Sequence, residues 1–165
     1  HALPQEAQMV RARIGVLLDR PFIPREFSLW EGLCYSADLH GVDNPAERIL
    51  ELLDRFRLTW RRRDPVRTFS RGMAQRASLA CALLSEPQIL ILDEPFSGLD
   101  PAGCAIVEEA IAETRAAGGT VLLVTHDLER GARLCDEVVV IDRGRLAFRG
   151  SGGRWSLEDL TAVYR

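Results

Sequence analysis

Lysine is absent from the 165-residue chain, so all 21 of its basic residues are arginines. This absence excludes any site built on a lysine side chain, including the phosphate-binding P-loop of pattern G-x-x-x-x-G-K-[ST]. The ten residues before Arg11, where the first strand is predicted, also lack glycine. A strand, P-loop and helix together need about 30 residues. The chain itself is therefore predicted to contain no P-loop.

Other absences narrow the class of protein. The four cysteines are widely spaced and form no C-x-x-C pair, so we expect buried free thiols rather than a metal site or a disulfide framework; they are Cys34, Cys81, Cys104 and Cys135. No apolar run approaches the roughly 18 residues of a membrane span, and we expect no signal peptide at the start of the sequence. Because the sequence begins with His1 rather than methionine, we expect it to be part of a longer or processed protein.

The remaining composition is that of a globular domain, with 47% hydrophobic and 27% charged residues. A net charge of −3 gives no reason to expect bulk nucleic-acid binding. The run Arg61–Arg63 is interpreted as a solvated connector rather than a nucleic-acid patch.

Predicted helices and strands alternate along the chain. Residues 28–84 read as almost entirely helical, and the second half reads as an α/β layer in which "QILILD" and "TVLLVT" are strands buried on both faces. One predicted helix, opened by Asn44, has an inner face of Ile49, Leu50, Leu52, Leu53 and Phe56. The predicted elements are strand 11–18, helices 28–41, 44–58 and 70–84, strand 88–93, helix 100–118, strand 120–125, helix 127–135, hairpin 137–150 and helix 156–164.

Polar residues follow two of these strands. Asp93 and Glu94 come after "QILIL", and His126 follows "TVLLVT". In α/β sheets, ligands bind beyond the carboxyl ends of the strands. Two adjacent acids at such a place can have separate roles. One can hold Mg²⁺ through water, and the next can orient or deprotonate an attacking water. The alternative is an ordinary polar strand exit.

A second candidate site lies in "FSRGMAQR". Ser70 and Gly72 at a predicted helix start would present a hydroxyl group and open backbone N–H groups at the positive end of the helix, which is an anion site. The alternative is that Ser70 is a plain N-cap.

Taken together, the motifs resemble those of the ATP-binding subunits of ABC transporters from Ile14 to the end of the chain. "FSRGMAQR" is similar to the signature motif, "ILILDEP" to the Walker B strand, "SGLD" to the D-loop and "VTHD" to the switch histidine. The resemblance implies a P-loop NTPase-type (RecA-like) α/β fold with a parallel sheet core and an inserted α-helical lobe. It assigns residues 1–27 and 86–165 to the core and residues 28–85 to the lobe, as a partial ABC cassette.

The same resemblance implies roles for the residues at the strand ends. Asp93 would help to hold Mg²⁺ through water, and Glu94 would be the catalytic carboxylate that polarises the hydrolytic water. His126 would contact the γ-phosphate of ATP and steady that water.

Other residues would act where two subunits meet head to tail around two ATP molecules. Ser70 and Gly72 would cap the γ-phosphate held by the partner subunit, with Arg71 beside them at the nucleotide. Gln75 would orient the signature helix, and Asp100 would tie the two sites together at the dimer seam.

The implied partners are a second ABC subunit, identical or different, and transmembrane permease subunits, with the ATPase at the cytoplasmic face of the membrane and no nucleic acid. Trp30 and Trp60 would pack within the lobe or line the groove that receives a permease helix. The expected function is ATP hydrolysis that powers export. The alternatives are a soluble ABC-type ATPase acting on nucleic acid, or a non-catalytic fragment.

The sequence departs from the family pattern in three respects. The P-loop is expected in residues before His1, so the isolated chain should bind ATP weakly and be inactive. Arg20 stands where the family usually has a glutamine that reaches Mg²⁺, and an arginine cannot ligate a cation. Arg71 stands where the signature most often has glycine, and "VRTFSRGMAQR" is more similar to a branch of haem exporters of cytochrome c maturation and multidrug exporters.

Overall fold

The computed structural model describes Val10 and residues 12–18, 23–151 and 155–163. The described chain forms two compact units, one up to Leu122 and one from Leu123 onward. The first contains β1 (Ile14–Leu17), α1 (Leu29–His40), α2 (Pro45–Arg55), α3 (Arg71–Ala82), β2 (Ile89–Asp93) and α4 (Pro101–Ala116). The second contains α5 (Leu128–Leu134), β4 (Glu137–Asp142), β5 (Arg145–Ser151) and α6 (Leu157–Val163). Strand β3 (Thr120–Val124) crosses the boundary between the units.

Helix α1 has the start and stop that its sequence predicts. The Ser28 hydroxyl accepts a hydrogen bond from the Glu31 backbone N–H at 3.2 Å, and the Glu31 carboxylate accepts one from the Ser28 N–H at 2.8 Å. This capping box satisfies two N–H groups that the first turn leaves unpaired. The helix ends at Gly41, whose φ of +67° is the left-handed conformation that glycine adopts at little cost.

Helix α2 buries one face, as predicted, but Leu50 is not part of it. Leu50 is 45% exposed because it lies about 100° around the helix from its buried neighbour Ile49. The helix also ends at Arg55 rather than at Leu58, since Arg57 adopts a positive φ of 55° that no α-helix can contain. The side chains that form the buried face and its extension are Ile49, Leu52, Leu53 and Phe56.

Helix α3 begins after Ser70, as predicted, and ends at Ala82, two residues before the predicted end. Its last turn lies directly against β1. A Cβ atom at Gly15 would lie 2.2 Å from the Ala82 carbonyl oxygen, so only glycine fits at this approach of helix and strand. The C-terminal end of α3 is thereby held against strand β1.

The sheet of the first unit has the strand order β1-β2-β3, and β1 and β2 are parallel with Ile14 opposite Ile89 and Leu17 opposite Leu92. The predicted burial of β2 on both faces is wrong at its start, where Ile89 is 40% exposed. It is also wrong for β3, in which Leu122 is 55% exposed. An apolar run predicts a strand, but its burial depends on which elements cover each face.

The second unit contains the predicted hairpin. Strands β4 and β5 pair antiparallel and turn at Arg143 and Gly144, whose φ angles of 48° and 76° fit the two-residue turn that matches strand twist. Helix α6 is capped as predicted, with the Ser156 hydroxyl accepting from the Asp159 N–H at 3.1 Å.

The four cysteines are free thiols, as predicted, but each is only half-buried. The Cys81 thiol donates a hydrogen bond to the Ser36 hydroxyl at 3.1 Å, and burial raises the pKa of Cys81 above its ordinary value. Burial, with a smaller contribution from the charge of Asp38, also raises the pKa of Cys34.

Two expectations lie partly or wholly outside these observations. Arg11, at the start of the predicted first strand, and Arg20, at the glutamine position, fall outside the described residues. The division into a core of residues 1–27 and 86–165 and a lobe of residues 28–85 stays a prediction. Among the described helices, none combines the length and the apolar character needed to cross a membrane.

Candidate functional site

The loop that follows β2, residues 94–99, is here called the strand-end loop. Asp93 is the last residue of β2, and Glu94 opens the loop with a φ of +46°. This left-handed conformation is uncommon for a residue other than glycine and persists where surrounding contacts enforce it. Both acids are half-buried. The chain therefore changes direction at Glu94, the residue to which the family resemblance assigns the catalytic carboxylate.

Two hydrogen bonds hold Glu94 in this conformation. Its backbone carbonyl accepts one from the Ser97 N–H at 3.1 Å, within the strand-end loop. It accepts a second from the Nε2 of Gln75, on helix α3, at 3.2 Å. Gln75 is 91% buried, so its amide is a fixed group rather than a mobile surface side chain. The side chain of Gln75 is thus fixed against the backbone of Glu94, and the orienting role expected for Gln75 stays a prediction.

Ser70 forms the N-cap of α3. Its backbone is extended, with φ −65° and ψ 163°, and its hydroxyl accepts from the Met73 N–H at 3.2 Å. Ser70 is nevertheless exposed to solvent, at the positive end of a 12-residue helix with no acid in its first turn. The cap interpretation is confirmed, and the serine remains accessible to an anion from outside the chain.

The first turn of α3 lies against the strand-end loop. A Cβ atom at Gly72 would approach the Gly98 carbonyl oxygen to 2.9 Å. From the same turn, the Arg71 Nη2 donates to the Ser97 hydroxyl at 2.7 Å. A Cβ atom at Gly98, whose φ is +73°, would lie 2.9 Å from the Cδ of Arg71. Glycines at both positions let the two segments touch.

Asp100, the last residue of "SGLD", caps helix α4. Its Oδ1 accepts a hydrogen bond from the Gly103 N–H at 2.7 Å, and the residue is exposed. One cap therefore orients Asp100, just as another orients Ser70. The two caps are joined through the strand-end loop.

Arginine side chains brace α3 from the opposite side. Arg76 donates from Nη1 to the Phe56 carbonyl oxygen at 3.0 Å and from Nε to the Gly72 carbonyl oxygen at 3.4 Å. The bond to Phe56 ties α3 to the residue that follows α2, whereas the bond to Gly72 lies within α3. An orienting role for Arg76, next to Gln75 in the signature motif, stays a prediction.

Arg61, expected in a solvated connector, is instead packed against the residues before Ser70. Its guanidinium carbon lies 5.1 Å from the centre of the Trp60 ring and 5.2 Å from that of Phe69, which immediately precedes Ser70. It also pairs with Asp64 and donates to the Thr68 hydroxyl at 2.7 Å. The expectation of a solvated side chain is wrong for Arg61, because aromatic rings and acceptors surround it.

His126 lies in the second unit, in the short exposed segment between β3 and α5. Asp93, Glu94, Ser70, Gly72 and their neighbours lie in the first unit. The described contacts therefore bring together the signature and Walker B segments, whereas the meeting of His126 with them stays a prediction.

The donor set of the first unit fits part of an ATP–magnesium site. Asp93 offers a hard carboxylate oxygen at a strand end, and Mg²⁺ is commonly held by one or two carboxylates together with phosphates and water. Ser70 offers an exposed hydroxyl at a helix N-terminus, which suits a phosphate oxygen. Within the described ranges, no group of three or more His, Cys, Asp or Glu side chains is placed to hold a metal ion.

Sequence reasoning missed Ser97 and Gly98 as partners of the signature helix. The Ser-Gly pair predicts a turn, which the structure contains, but not what the turn touches. Sequence reasoning also missed the positive φ of Glu94, because a glutamate gives no local indication of this backbone conformation.

Comparisons with known proteins identify the family. The family model described as ABC transporter matches residues 1–97. The Nod factor export ATP-binding protein I of Sinorhizobium fredii is 41% identical over 150 residues, which cover 90% of this chain and 44% of that protein. The daunorubicin resistance ATP-binding protein DrrA3 of Streptomyces coeruleorubidus is 38% identical over 160 residues, or 96% of this chain and 51% of that protein. The chain thus spans about half the length of these relatives.

Solved structures give the same result for the fold. A structure described as the ATP binding subunit of an ABC transporter superposes with a TM-score of 0.88 at 32% identity, covering 99% of this chain and 72% of that one. CbiO1 of Clostridium perfringens, part of the ABC transporter complex CbiONQ, superposes with a TM-score of 0.72 at 26% identity, covering 96% and 63%. The predicted fold class is confirmed. The chain belongs to the ABC transporter family and forms part of the α/β fold of its ATP-binding subunits.

Proposed function

We propose that this chain is the signature-bearing and Walker B-bearing portion of a subunit that hydrolyses ATP to power export across a membrane. The observation that carries the proposal is the hydrogen bond from Gln75 to the backbone of Glu94. It connects the helix whose N-terminus would face a phosphate to the backbone of the residue whose carboxylate would act on water. A change in the position of α3 can thereby alter the position of Glu94, and the reverse.

Each of the proposed site residues would have a separate role in ATP hydrolysis. Asp93 would hold Mg²⁺ through water, and the ion would neutralise charge on the β- and γ-phosphates. Glu94 would accept a hydrogen bond from the attacking water and orient it in line with the γ-phosphate. His126 would contact the γ-phosphate. The phosphate-cradling P-loop would come from residues outside this chain.

The signature residues would act across a dimer. Two subunits would pack head to tail, so that Ser70 and Gly72 of one subunit contact the γ-phosphate bound by the other. The exposure of Ser70 at the start of α3 supports this arrangement, because its hydroxyl is accessible from outside the subunit. Asp100, also exposed, would lie at the seam between the subunits.

The partners would be a second ATP-binding subunit and transmembrane permease subunits, with the dimer on the cytoplasmic face of the membrane. Export is supported by the names of relatives, which describe Nod factor export and daunorubicin resistance. The place of CbiO1 in the CbiONQ transporter complex supports a multisubunit assembly. The more specific similarity to haem or multidrug exporters stays a prediction.

Glu94→Gln in the full-length protein tests the proposal. The amide keeps the size of the side chain but cannot take a proton from water, so turnover should fall by about 100-fold or more while Mg-ATP binding persists. Dimers with ATP bound should accumulate and be seen by size-exclusion chromatography with light scattering.

Glu86→Gln is the matched control. Glu86 is also a glutamate with a positive φ, of 49°, but it is exposed and lies before β2 rather than after it. Its replacement should leave turnover unchanged. Equal turnover in the Glu94→Gln and wild-type proteins would contradict the proposed function.

A further inference from the structure

We propose that Arg71 is a positioning residue that clamps the strand-end loop to the first turn of α3, so that Ser70 and Asp100 move as one unit. This inference rests on the proposed function for its consequence, but its physical basis is internal to the described chain. The Arg71 side chain contacts the strand-end loop of its own subunit, and the place beside the nucleotide that the family resemblance implies for it stays a prediction.

Three contacts of different kinds make the clamp. The Arg71 Nη2 donates to the Ser97 hydroxyl at 2.7 Å, a short bond from a charged donor. The aliphatic part of the same side chain covers Gly98, where an added Cβ atom would lie 2.9 Å from Cδ and 3.0 Å from Cγ. Backbone contact completes it, since a Cβ atom at Gly72 would lie 2.9 Å from the Gly98 carbonyl oxygen.

The clamp acts on the second half of the strand-end loop, beyond Glu94. The Ser97 N–H is bonded to the Glu94 carbonyl at 3.1 Å, and the Leu99 N–H to the Phe96 carbonyl at 3.3 Å. Both bonds are local to the loop, and Gly98 is exposed with a φ of +73°. Gln75 holds the start of the loop at Glu94, whereas Arg71 holds its second half at Ser97 and Gly98, where a lost contact would ease local opening.

Clamping the loop has a consequence at both of its ends. On one side of Arg71 lies Ser70, the exposed cap of α3, and three residues beyond Ser97 lies Asp100, the exposed cap of α4. A rigid connection between the two caps would present the phosphate-facing hydroxyl and the seam carboxylate to the partner subunit in one fixed geometry. A glycine at position 71 could not supply the connection, because it has no side chain to reach Ser97.

The test uses the full-length protein with Arg71→Ala, Ser97→Ala and the double variant. In amide hydrogen exchange without nucleotide, Arg71→Ala should speed exchange at Ser97 and Leu99 by about two- to tenfold, the effect expected from losing one hydrogen bond. In ATP-driven dimerisation, each single variant should weaken association, and the double variant should be no worse than Arg71→Ala alone. The affinity for fluorescent ATP at each isolated subunit should not change.

Arg67→Ala serves as the matched control. Arg67 is an exposed arginine four residues earlier that pairs with Glu26 rather than with the strand-end loop. Its loss changes the net charge equally and should leave loop exchange and dimerisation at wild-type values. Arg71→Lys should restore part of both properties, because lysine retains a donor and an aliphatic stem.

Two results would overturn the clamp. One is unchanged exchange at Ser97 and Leu99 in Arg71→Ala. The other is additive loss of dimerisation in the double variant, which would mean that Arg71 acts on the nucleotide independently of Ser97. If wild-type protein neither dimerises with ATP nor hydrolyses it, the proposed function fails, while the exchange measurement still decides whether Arg71 holds the loop.

Discussion

Gln75 and Glu94 are joined by a hydrogen bond of 3.2 Å from the side-chain amide of one to the backbone carbonyl of the other. The two residues are 19 positions apart and lie on different elements, a helix and the loop after a strand. The contact falls on the residue with a positive φ at the proposed catalytic position. It explains how a glutamate can be held there in a conformation more typical of glycine.

Removing this contact is the first prediction. Gln75→Leu in the full-length protein should keep the buried volume but lose the hydrogen bond, while the Glu94 carbonyl retains its bond from Ser97. We expect a loss of about 0.5–1.5 kcal/mol in the free energy of unfolding. We also expect kcat to fall two- to tenfold with little change in KM for ATP, by the scale of a single misplaced catalytic hydrogen bond.

Gln88→Leu provides the comparison for that experiment. Gln88 is an exposed glutamine at the other end of β2, and its side chain accepts a long bond of 3.4 Å from Arg13. Both stability and kcat should stay near the wild-type values. An unchanged kcat in Gln75→Leu would remove Gln75 from the positioning of Glu94.

Two substitutions at Ser70 separate its role as a helix cap from its proposed contact with phosphate. Ser70→Ala should cost about 0.5–2 kcal/mol of stability through the lost cap. Ser70→Asp should retain that stability, because aspartate caps a helix as well as serine does. Its charge would face the γ-phosphate of the partner's ATP, so ATP-dependent dimerisation should fail. Melting temperature and dimerisation are measured on the same full-length samples.

Ser28→Ala is the matched control for the Ser70 variants. Ser28 caps α1 with the same hydroxyl geometry, at 3.2 Å from the Glu31 N–H. Its loss should lower the melting temperature without affecting dimerisation. A stable Ser70→Asp variant that still dimerises with ATP would mean that Ser70 is a cap and nothing more.

Arg61 and Arg63 should behave differently although they are two positions apart. Arg61→Met removes a guanidinium that contacts two aromatic rings and an acid, so we expect a loss of about 1–3 kcal/mol in stability. Arg63 is exposed, and Arg63→Met should change stability by less than about 0.5 kcal/mol. Chemical denaturation of full-length protein measures both. The alternative of a nucleic-acid surface instead requires both variants to lose affinity for nucleic acid in a filter-binding assay.

Glu31 gives a prediction for pH. The hydrogen bonds from the Ser28 side chain and backbone lower the pKa of Glu31 from its ordinary value of 4.5. Ionised Glu31 therefore favours the folded state, and its contribution is fully present above pH 4.5 and is lost as pH falls through the lower folded-state pKa. The difference in melting temperature between wild type and Glu31→Gln should be constant above that pH and shrink below it.

The Ser28→Ala background provides the control for the Glu31 experiment. Without the serine hydroxyl, the largest cause of the lowered pKa is gone, so the pH-dependent part of the difference should diminish. A difference that keeps the same dependence on pH in this background would assign it to a group other than the capping box.

Local features of the chain could be predicted where one segment decides them by itself. The caps at Ser28, Ser70 and Asp100 depend on a side chain bonding to an amide three residues away, so the sequence carries the whole interaction. The turn at Arg143 and Gly144 is local in the same way. The ends of α2 and α3 were less predictable, since a helix stops where competing contacts become favourable.

The sequence by itself determined the order of the motifs, the residue types at the strand end and the absence of lysine, because these require no folding to be read. Only the tertiary structure decided that the Arg71 side chain meets Ser97, that Gln75 supports Glu94 and that Arg61 packs between Trp60 and Phe69. Each contact joins residues whose meeting depends on backbone path and on side-chain rotamers that pattern and propensity do not specify. The burial of β3 was misjudged for a related reason, since water is excluded from a strand by the layers around it and not by its own apolar residues.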